Sequence, residues 1–462
     1  WVAMACLAGN AHAQSKAQQS ARTSVPAQAS VQFEQGSTLR ALEDWHVLPP
    51  RQRVEPENRL LRERLEQLLP RLMAETDLDM WLVLNREYAE DPAYFTLVPQ
   101  PTFAARRTTM LVFHRKADGT VERLAVNRYP LGGPYESAWA GGDLEAQWKA
   151  LGQLIADKNP RRIGINVSRH WPVADGLTHA LHTRLLEVLP AGFESRLVPA
   201  ESLVVRWLET RTAGELAIYP HIVSLARAVI AEAFSERVIT PGVTTTQDVA
   251  WYIRERFESQ GLPIWFFPDV NLQRAGLNCE RDGPFCGESG VIQRGDVLHT
   301  DVGICYLKLC TDTQEMGYVL RLGETQAPEG LRAAMRTGNR WQDLLTAEYR
   351  TGRTGNEVLA RTRAAADKAG MVSSVYTHAL GNFGHAPGPT IGMWDKQEGV
   401  PGSGDYKLYP NTAYSIELNS STLIPEWGKE IRVMLEEDGF YDGKTFRYIG
   451  GRQQKLLLVK YF

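Results

Sequence analysis

The sequence of 462 residues has no excess of charge of either sign, since 51 lysines and arginines are balanced by 54 aspartates and glutamates. A chain with this balance lacks the excess of positive charge that is typical of proteins that bind nucleic acid or an anionic membrane. Beyond its first residues it also lacks any apolar run near the roughly 20 residues that a membrane-spanning helix requires. The composition therefore predicts small molecules or peptides as partners, with no nucleic acid and no membrane span.

Cysteine is scarce as well, with five in the chain. Setting aside Cys6, an even number remains, which suits an oxidising compartment. Cys279 and Cys286 lie in one loop and could form a bridge, and Cys305 and Cys310 flank a predicted turn and could form another. Buried, reduced cysteines would fit the same pattern, so the sequence leaves both states open.

The N-terminal segment combines a short apolar run with the pattern Ala11-His12-Ala13. This arrangement is typical of the end of a secretory signal, with cleavage after Ala13. The following residues, 14–37, are rich in Ala, Gln and Ser and predict a flexible leader. We expect residues 1–38 to be a signal remnant and leader, and the protein to be exported, either periplasmic or secreted.

Strand patterns alternate with helical patterns between residues 39 and 211, which predicts a sheet covered by helices. A long helical tract begins near residue 212, a second helical block covers 330–369, and most of the remaining segments have strand patterns. The sequence predicts a chain of the α/β (α+β) class with two domains, 39–211 and 212–462.

Two acidic residues stand out in the second domain. Asp301 and Asp312 lie on two strand patterns separated by the turn-like segment 306–308. If the chain folds back there, both carboxylates lie on the same face of adjacent strands, because side chains alternate with period two. Such like charges repel unless a cation lies between them, so the pair predicts a metal site. Two solvated acids on a hairpin are the alternative.

Further acidic and imidazole groups follow downstream. His378 and His385 lie in one Gly- and Pro-rich loop, and Glu417 and Glu436 lie in apolar strand patterns. A carboxylate inside an apolar strand requires a partner, because burying it unpaired costs several kcal/mol. The partner is either a metal ion or a nearby base such as Arg432.

The order Asp301, Asp312, His385, Glu417 and Glu436 resembles the ligand order of the pita-bread metallopeptidases. This family includes methionine aminopeptidases, Xaa-Pro aminopeptidases, prolidases and creatinase. The resemblance implies a creatinase-type N-terminal domain followed by a pita-bread domain with a curved, mostly antiparallel sheet covered by helices.

Three short segments, 388–395, 435–438 and 451–453, resemble an exported bacterial branch of Xaa-Pro aminopeptidase-like proteins. Relatives with this two-domain plan are commonly dimers, so the resemblance also implies a homodimer.

The same resemblance implies a ligand set for two divalent ions. Asp301 would chelate one ion, Asp312 would bridge both, His385 would bind the second, and Glu417 and Glu436 would complete the set. Glu437 is the alternative to Glu436 as the last ligand. Oxygen donors with one imidazole favour Mn²⁺, with Zn²⁺, Co²⁺ or Fe²⁺ as alternatives.

The implied function is that of an aminopeptidase or dipeptidase that cleaves Xaa-Pro bonds with a hydroxide bridging the two ions. Glu417 would accept a proton from the water, and His378 would donate a hydrogen bond to the substrate carbonyl or the intermediate. Trp265, Phe267 and Trp394 would offer an apolar wall for a proline ring.

Two other functions remain open, because a fold does not fix a function. One is creatinase-like hydrolysis of a small molecule without a metal. The other is a non-catalytic binding protein on the same fold.

Overall fold

The computed structural model of the protein describes residues 46–276 and 290–460. The predicted leader and the loop with Cys279 and Cys286 lie outside the described residues. The helices are α1 (Pro50–Glu63), α2 (Leu69–Glu75), α3 (Tyr94–Leu97), α4 (Leu144–Lys158), α5 (His179–Val188), α6 (Glu201–Glu209), α7 (Ala213–Ala233), α8 (Thr246–Ser259), α9 (Glu329–Thr346) and α10 (Gly355–Lys368). The strands are β1 (Met80–Arg86), β2 (Thr108–Arg115), β3 (Val121–Asn127), β4 (Glu136–Ser137), β5 (Ile163–Ile165), β6 (Leu197–Pro199), β7 (Asp269–Gln273), β8 (Val297–Val302), β9 (Cys305–Tyr306), β10 (Leu309–Cys310), β11 (Thr313–Val319), β12 (Val372–Val375), β13 (Thr377–Leu380), β14 (Ala386–Ile391), β15 (Thr412–Ile424), β16 (Lys429–Tyr441), β17 (Phe446–Tyr448) and β18 (Leu457–Val459).

The first sheet has six strands in the order β4-β3-β2-β1-β5-β6. β1 pairs antiparallel with β2 and parallel with β5, and all but its last residue are buried. A continuous apolar run is what a strand covered on both faces requires. α4 begins after Asp143, whose side chain accepts a hydrogen bond from Ala146 N, and buries Trp148 and Ile155 against this sheet.

The second sheet has ten strands, seven of them in the order β14-β13-β15-β16-β11-β8-β7. β15 and β16 form a long antiparallel hairpin, with each strand 13 residues long. Helices α7 and α8 share one buried cluster with Leu298 and Val302 of this sheet. Helices α9 and α10 share another cluster with Met316 and Leu418. The fold therefore confirms the predicted α/β class with a mostly antiparallel sheet covered by helices.

The helical block predicted over 330–369 is divided into two helices, α9 and α10. Thr354 accepts a hydrogen bond from Glu357 N, and the Glu357 side chain accepts one from Thr354 N. This reciprocal cap satisfies backbone donors at a new helix start, so α10 begins there instead of continuing α9.

Helix α7 is long and apolar enough to cross a bilayer by length and composition. However, half of the relevant window is buried inside the structure. Tyr219, Ile222 and Leu225 have no exposed surface and pack in the cluster beneath the large sheet. These contacts are those of a core helix.

The described residues, 46–276 and 290–460, belong to one compact unit, and the division near residue 212 stays a prediction. A buried charge group links the N-terminal helices to α7. Arg64 Nη1 lies 2.9 Å from Glu215 Oε1, and Arg211 Nη1 lies 3.3 Å from the same oxygen. All three side chains are nearly inaccessible, so each charge depends on its partners.

Candidate metal centre

The register of the large sheet places five polar side chains in one row across five strands. Directly paired residues, in order across the sheet, are Asp269, Asp301, Gln314, Glu436 and Glu417. Side chains of directly paired residues lie on the same face of a sheet. The row therefore brings four carboxylates together around one amide.

A second group lies beside this row. Asp312 precedes Gln314 by two residues and so shares its face. His378 Nε2 lies 3.4 Å from Asp312 Oδ2, 3.6 Å from Glu436 Oε1 and 4.0 Å from Glu417 Oε2. The His385 ring centroid lies 4.6 Å from that of His378.

The five metal ligands predicted from the sequence and His378, the predicted hydrogen-bond donor, thus lie together in the structure. Their ligand atoms form three overlapping groups in which all atoms lie within 4.8 Å of one another. The groups are Asp301, Asp312 and Glu436; His378, Glu417 and Glu436; and Asp312, His378 and His385.

The residues present fit divalent metal ions. Asp301 Oδ1 and Asp312 Oδ1 are buried, and neither has a hydrogen-bond partner among the described residues. A buried carboxylate oxygen without a donor is costly, and a cation among these oxygens would supply the missing partner. Oxygen donors with imidazole suit Mn²⁺, Fe²⁺, Co²⁺ or Zn²⁺.

The pKa shifts in the cluster show that its carboxylates would be stabilised by a nearby positive charge. Burial, followed by the charge of Glu436, raises the pKa values of Asp301 and Glu417 well above their usual range. The same two causes raise the pKa of Asp312 to about 8. Without a cation, carboxyl groups placed together in this way repel one another unless some of them take up protons.

The two histidines differ in charge. Burial alone lowers the pKa of His378, but its contacts with Asp312 and Glu436 outweigh burial and raise the pKa to about 10. Burial, followed by the charge on His378, lowers the pKa of His385 to about 4. His385 is therefore neutral at pH 7, which leaves an imidazole lone pair for a metal ion.

The structure brings Glu436, and not Glu437, into the cluster. Neighbouring residues of a strand point to opposite faces, and Glu436 is the one paired with Gln314 and Glu417. Glu437 instead accepts a hydrogen bond from Gln453 N.

Gln314 is a member of the site that the sequence reasoning missed. Its Nε2 donates to Glu417 Oε1 at 2.6 Å and to Glu436 Oε2 at 2.8 Å, and lies 3.4 Å from Asp301 Oδ2. Its Oε1 lies 2.9 Å from His299 Nε2. The signal was available in the sequence, because a residue two positions after Asp312 in a strand shares its face.

Asp438 supports the position of Asp312 from outside the cluster. Its carboxylate accepts a hydrogen bond from Asp312 N at 3.1 Å and one from Thr313 Oγ1 at 3.3 Å. Asp438 is buried, so these bonds fix the backbone at the point where Asp312 enters the site.

Of the three aromatic residues expected at the substrate wall, the structure places Trp265 at the site. Its ring centroid lies 4.9 Å from that of His385, and its Nε1 donates to Thr311 O at 2.9 Å. A Cβ atom at Gly303 or at Gly384 would lie 2.0 or 2.1 Å from atoms of the indole. Both positions therefore require glycine for Trp265 to reach this place.

The other two aromatic residues lie at the surface. Phe267 is 41% exposed and contacts Trp251 of α8 edge to face, with ring centroids 5.0 Å apart. Trp394 is 59% exposed. The structure thus shows an aromatic contact with the cluster for Trp265, whereas Phe267 packs against Trp251 of α8 instead.

A disulfide closes the hairpin that carries the two aspartates. Cys305 and Cys310 pair in the register of β9 and β10 and are bonded to each other. Of the two states left open by the sequence, the structure shows the bridged one. The bond joins the strand that follows Asp301 to the strand that precedes Asp312.

We expect the double variant Cys305→Ser/Cys310→Ser to be less stable than the oxidised protein by about 2 kcal/mol, because the bond closes a short loop in the unfolded chain. Urea unfolding of both proteins, with the same metal loading, measures this difference. Equal midpoints and slopes would show that the bond contributes nothing to stability.

Comparisons with known proteins found a matching family model and several structures with a similar fold. The sequence model of metallopeptidase family M24 matches residues 220–439 of this chain. Among solved structures, an X-Pro aminopeptidase from Thermotoga maritima has a TM-score of 0.59 at 16% identity, covering 84% of this chain and 100% of its own. An Xaa-Pro dipeptidase from Bacillus anthracis has a TM-score of 0.57 at 18% identity, covering 88% of this chain and 100% of its own. A prolidase from Pyrococcus furiosus has a TM-score of 0.50 at 14% identity, and the match covers 83% of this chain and 100% of the prolidase chain. A comparison with curated proteins found no match.

Proposed function

The chain belongs to metallopeptidase family M24, and we propose that it is an aminopeptidase or dipeptidase that hydrolyses Xaa-Pro bonds. The observation that carries the proposal is the convergence of Asp301, Asp312, His385, Glu417 and Glu436 into one cluster, in which Asp312 and Glu436 are buried, Asp301 and Glu417 are half-buried and His385 is exposed. Two of the similar structures are those of an X-Pro aminopeptidase and an Xaa-Pro dipeptidase, which supports the choice of substrate.

The cluster offers donors for two ions, as the family requires. Asp301, Asp312 and Glu436 would hold one ion, and Asp312, His385, Glu417 and Glu436 would hold the other. Bound ions would supply Lewis acidity, which lowers the pKa of a water and stabilises a developing oxyanion.

Two residues are placed for proton transfer and hydrogen bonding. Glu417 is our candidate to accept the proton of the attacking water, because its Oε2 lies on the side of the cluster where His378 and Asp312 lie. His378 Nδ1 lies 2.9 Å from the carbonyl oxygen of Ala379, and its Nε2 faces the same space as Glu417 Oε2. In its imidazolium form His378 would donate a hydrogen bond from Nε2 to the carbonyl oxygen of the scissile bond.

The indole of Trp265 would provide the apolar surface for the proline ring. It lies against His385 at the edge of the cluster and packs closely on Gly303 and Gly384, which have no Cβ to exclude it. A rigid apolar wall beside the ligands favours a cyclic imino acid over a polar side chain.

Hydrolysis of Xaa-Pro peptides tests this function. The full chain is loaded with Mn²⁺, Zn²⁺, Co²⁺ or Fe²⁺ and assayed with an Xaa-Pro dipeptide and a longer Xaa-Pro peptide. Matched peptides with alanine in place of proline serve as controls. We expect turnover of the proline peptides alone. Absence of turnover with ions demonstrably bound would overturn the proposal.

Replacing Trp265 with leucine is expected to lower kcat/KM for Xaa-Pro peptides about tenfold, because part of the apolar contact with the ring is lost. The matched control is Phe267→Leu, since Phe267 contacts Trp251 at the surface. Metal content is measured in both variants, so that a loss of ions is separated from a loss of substrate contact. Equal effects of the two substitutions would contradict the assignment of Trp265.

A metal-free function is the second candidate, and the charge of His378 favours it. An imidazolium and an amide already face the carboxylates, so the cluster has partners even without ions. Creatinase-like hydrolysis of a small molecule, or binding without catalysis, would then be expected. Elemental analysis of the purified protein separates the creatinase-like function from the metallopeptidase, because it predicts no stoichiometric metal. Binding without catalysis predicts instead that Asp312→Asn and Glu417→Gln leave the function unchanged.

We also propose that the protein is exported, with cleavage after Ala13, and that it forms a homodimer. N-terminal sequencing of the mature protein tests the first proposal, and light scattering at several concentrations tests the second. Retention of residues 1–13 or a monomeric mass would contradict them.

A further inference from the structure

A cavity of about 530 Å³ lies where α2, the start of α6 and residues 409–410 meet. Its size is within the range of about 300–1,000 Å³ that is typical of small-molecule sites. Arg71, Arg162 and Arg206 line it, and Glu75 is the one acid that does so among the described residues. The cavity shares no lining residue with the metal centre within residues 46–276 and 290–460.

Arg206 is the most buried of the three arginines. It is 4% exposed, and its guanidinium carbon lies 3.7 Å from the centroid of the Tyr409 ring. Its Nε lies 3.2 Å from Glu209 Oε1 but has no hydrogen-bond partner in the part of the chain that the structure describes. Its Nη1 lies 3.9 Å from Glu75 Oε2. A buried guanidinium without acceptors is costly, and an anion in the cavity would supply one.

The neighbouring acids do not balance the charge of Arg206. Glu209 is fully buried at the end of α6, and burial raises its pKa to about 8. A carboxyl group with this pKa is mostly protonated at pH 7 and adds little negative charge. Glu75 is half exposed and lies closer to Arg71, with Arg71 Nη1 3.2 Å from Glu75 Oε1.

The first turn of α6 adds to the positive potential. The helix has nine residues, and no side chain of the described residues caps its start. Ser202 and Leu203 of this turn line the cavity, whereas the Glu201 side chain accepts a hydrogen bond from Ser168 Oγ and is not among the lining residues. The backbone N–H groups at a helix start carry partial positive charge and commonly bind phosphate groups. Arg206 follows Ser202 by four residues, so both lie on the same side of α6.

Arg71 and Arg162 lie in the more exposed part of the cavity, with 46% and 44% of their side chains accessible. Arg162 Nε lies 3.7 Å from Asp77 Oδ2 and donates a hydrogen bond to Asp77 O at 3.0 Å. Ion pairs at the surface are screened by solvent and salt and are weak. Both guanidinium groups are therefore available to an anion that enters from solvent.

We propose that this cavity binds a small molecule through a phosphate group, with Arg206 at its buried end and Arg71 and Arg162 at its opening. The lining arginines exceed Glu75 by two charges, which matches a phosphate of about −1.5 to −2 at pH 7 better than a carboxylate. Guanidinium groups also bind phosphate oxygens in pairs. The ring of Tyr409 offers an apolar contact to the rest of the molecule. The inference depends neither on the metal centre nor on the peptidase function.

Calorimetric titration of the full-length protein with inorganic phosphate, at low ionic strength, tests the inference. Acetate serves as the monoanion for comparison. We expect one phosphate per chain with a Kd below about 1 mM, and acetate binding weaker by about tenfold or more. Added NaCl should weaken the binding of phosphate.

Two variants locate the phosphate, and a third is the matched control. Arg162→Gln removes a charge at the opening and is expected to weaken phosphate binding about tenfold. Arg161→Gln is its control, because Arg161 is 67% exposed, pairs with Asp77 and Asp79, and does not line the cavity. Arg206→Gln should abolish binding, and Arg162→Gln decides the test if Arg206→Gln does not fold.

Three results would overturn the inference. They are the absence of saturable phosphate binding by the wild-type protein, acetate binding as tight as phosphate binding, and equal phosphate affinities of Arg162→Gln and Arg161→Gln. The last result would mean that phosphate binds elsewhere, for example at the metal centre. All three are read without an Xaa-Pro substrate, so they are distinguishable from failure of the proposed function.

Discussion

Replacing Glu436 with glutamine is expected to weaken metal binding and to lower kcat/KM by more than about 100-fold, because a ligand shared by two donor groups is lost. Glu436 belongs to two of the three groups of candidate ligands. Its Oε1 accepts a hydrogen bond from Ser415 and faces His378, and its Oε2 faces Gln314. Metal content after desalting and hydrolysis of an Xaa-Pro peptide measure the effect.

Glu437→Gln is the matched control for this variant. Glu437 is buried on the opposite face of the same strand and accepts a hydrogen bond from Gln453 N. Its replacement is expected to affect stability and to leave the metal content unchanged. If Glu437→Gln lost the metal while Glu436→Gln retained it, the register that places Glu436 in the site would be wrong.

Loading the metal-free protein with Mn²⁺ is expected to raise the melting temperature by about 5–10 °C. An ion at 100 times its Kd stabilises the folded state by about 2.7 kcal/mol, and each kcal/mol shifts the melting temperature by about 2–4 °C in domains of 150–250 residues. The physical cause is the removal of repulsion among buried carboxylates. Thermal unfolding with and without Mn²⁺, followed by addition of a chelator, measures the shift.

Asp312→Asn separates this repulsion from other effects of the ion. The substitution removes one charge from the cluster while nearly preserving the shape of the side chain. We expect the metal-free variant to melt above the metal-free wild-type protein, and to gain little from Mn²⁺. An unchanged melting temperature of the metal-free variant, together with a full response to Mn²⁺, would show that Asp312 neither repels its neighbours nor binds the ion.

The hairpin that contains Asp301 and Asp312 shows how much of the site the local sequence pattern predicts. The alternation of side chains along two strands placed both carboxylates on one face, and the structure has them there. The order of the acids and the histidine along the chain then indicated the family, and with it the fold. These conclusions follow from sequence because period two and chain order are local properties.

Gln314 and Trp265 make contacts that the local sequence pattern does not predict. The same alternation put Gln314 beside the aspartates, but its contact with Glu417 and Glu436 depends on strands more than 100 residues away. Trp265 reaches His385 because Gly303 and Gly384 leave space, whereas Phe267, two residues later, packs against α8.

The sequence by itself predicted the candidate ligands, their order along the chain and the strand patterns on or beside which they lie. The tertiary structure decided which of two adjacent glutamates joins the cluster, which aromatic residue lines it, and that an amide occupies its middle. The physical reason is the pairing of β16 with β11 and β15, because a shift of one residue in that register would exchange Glu436 for Glu437 and move Gln314 away from both.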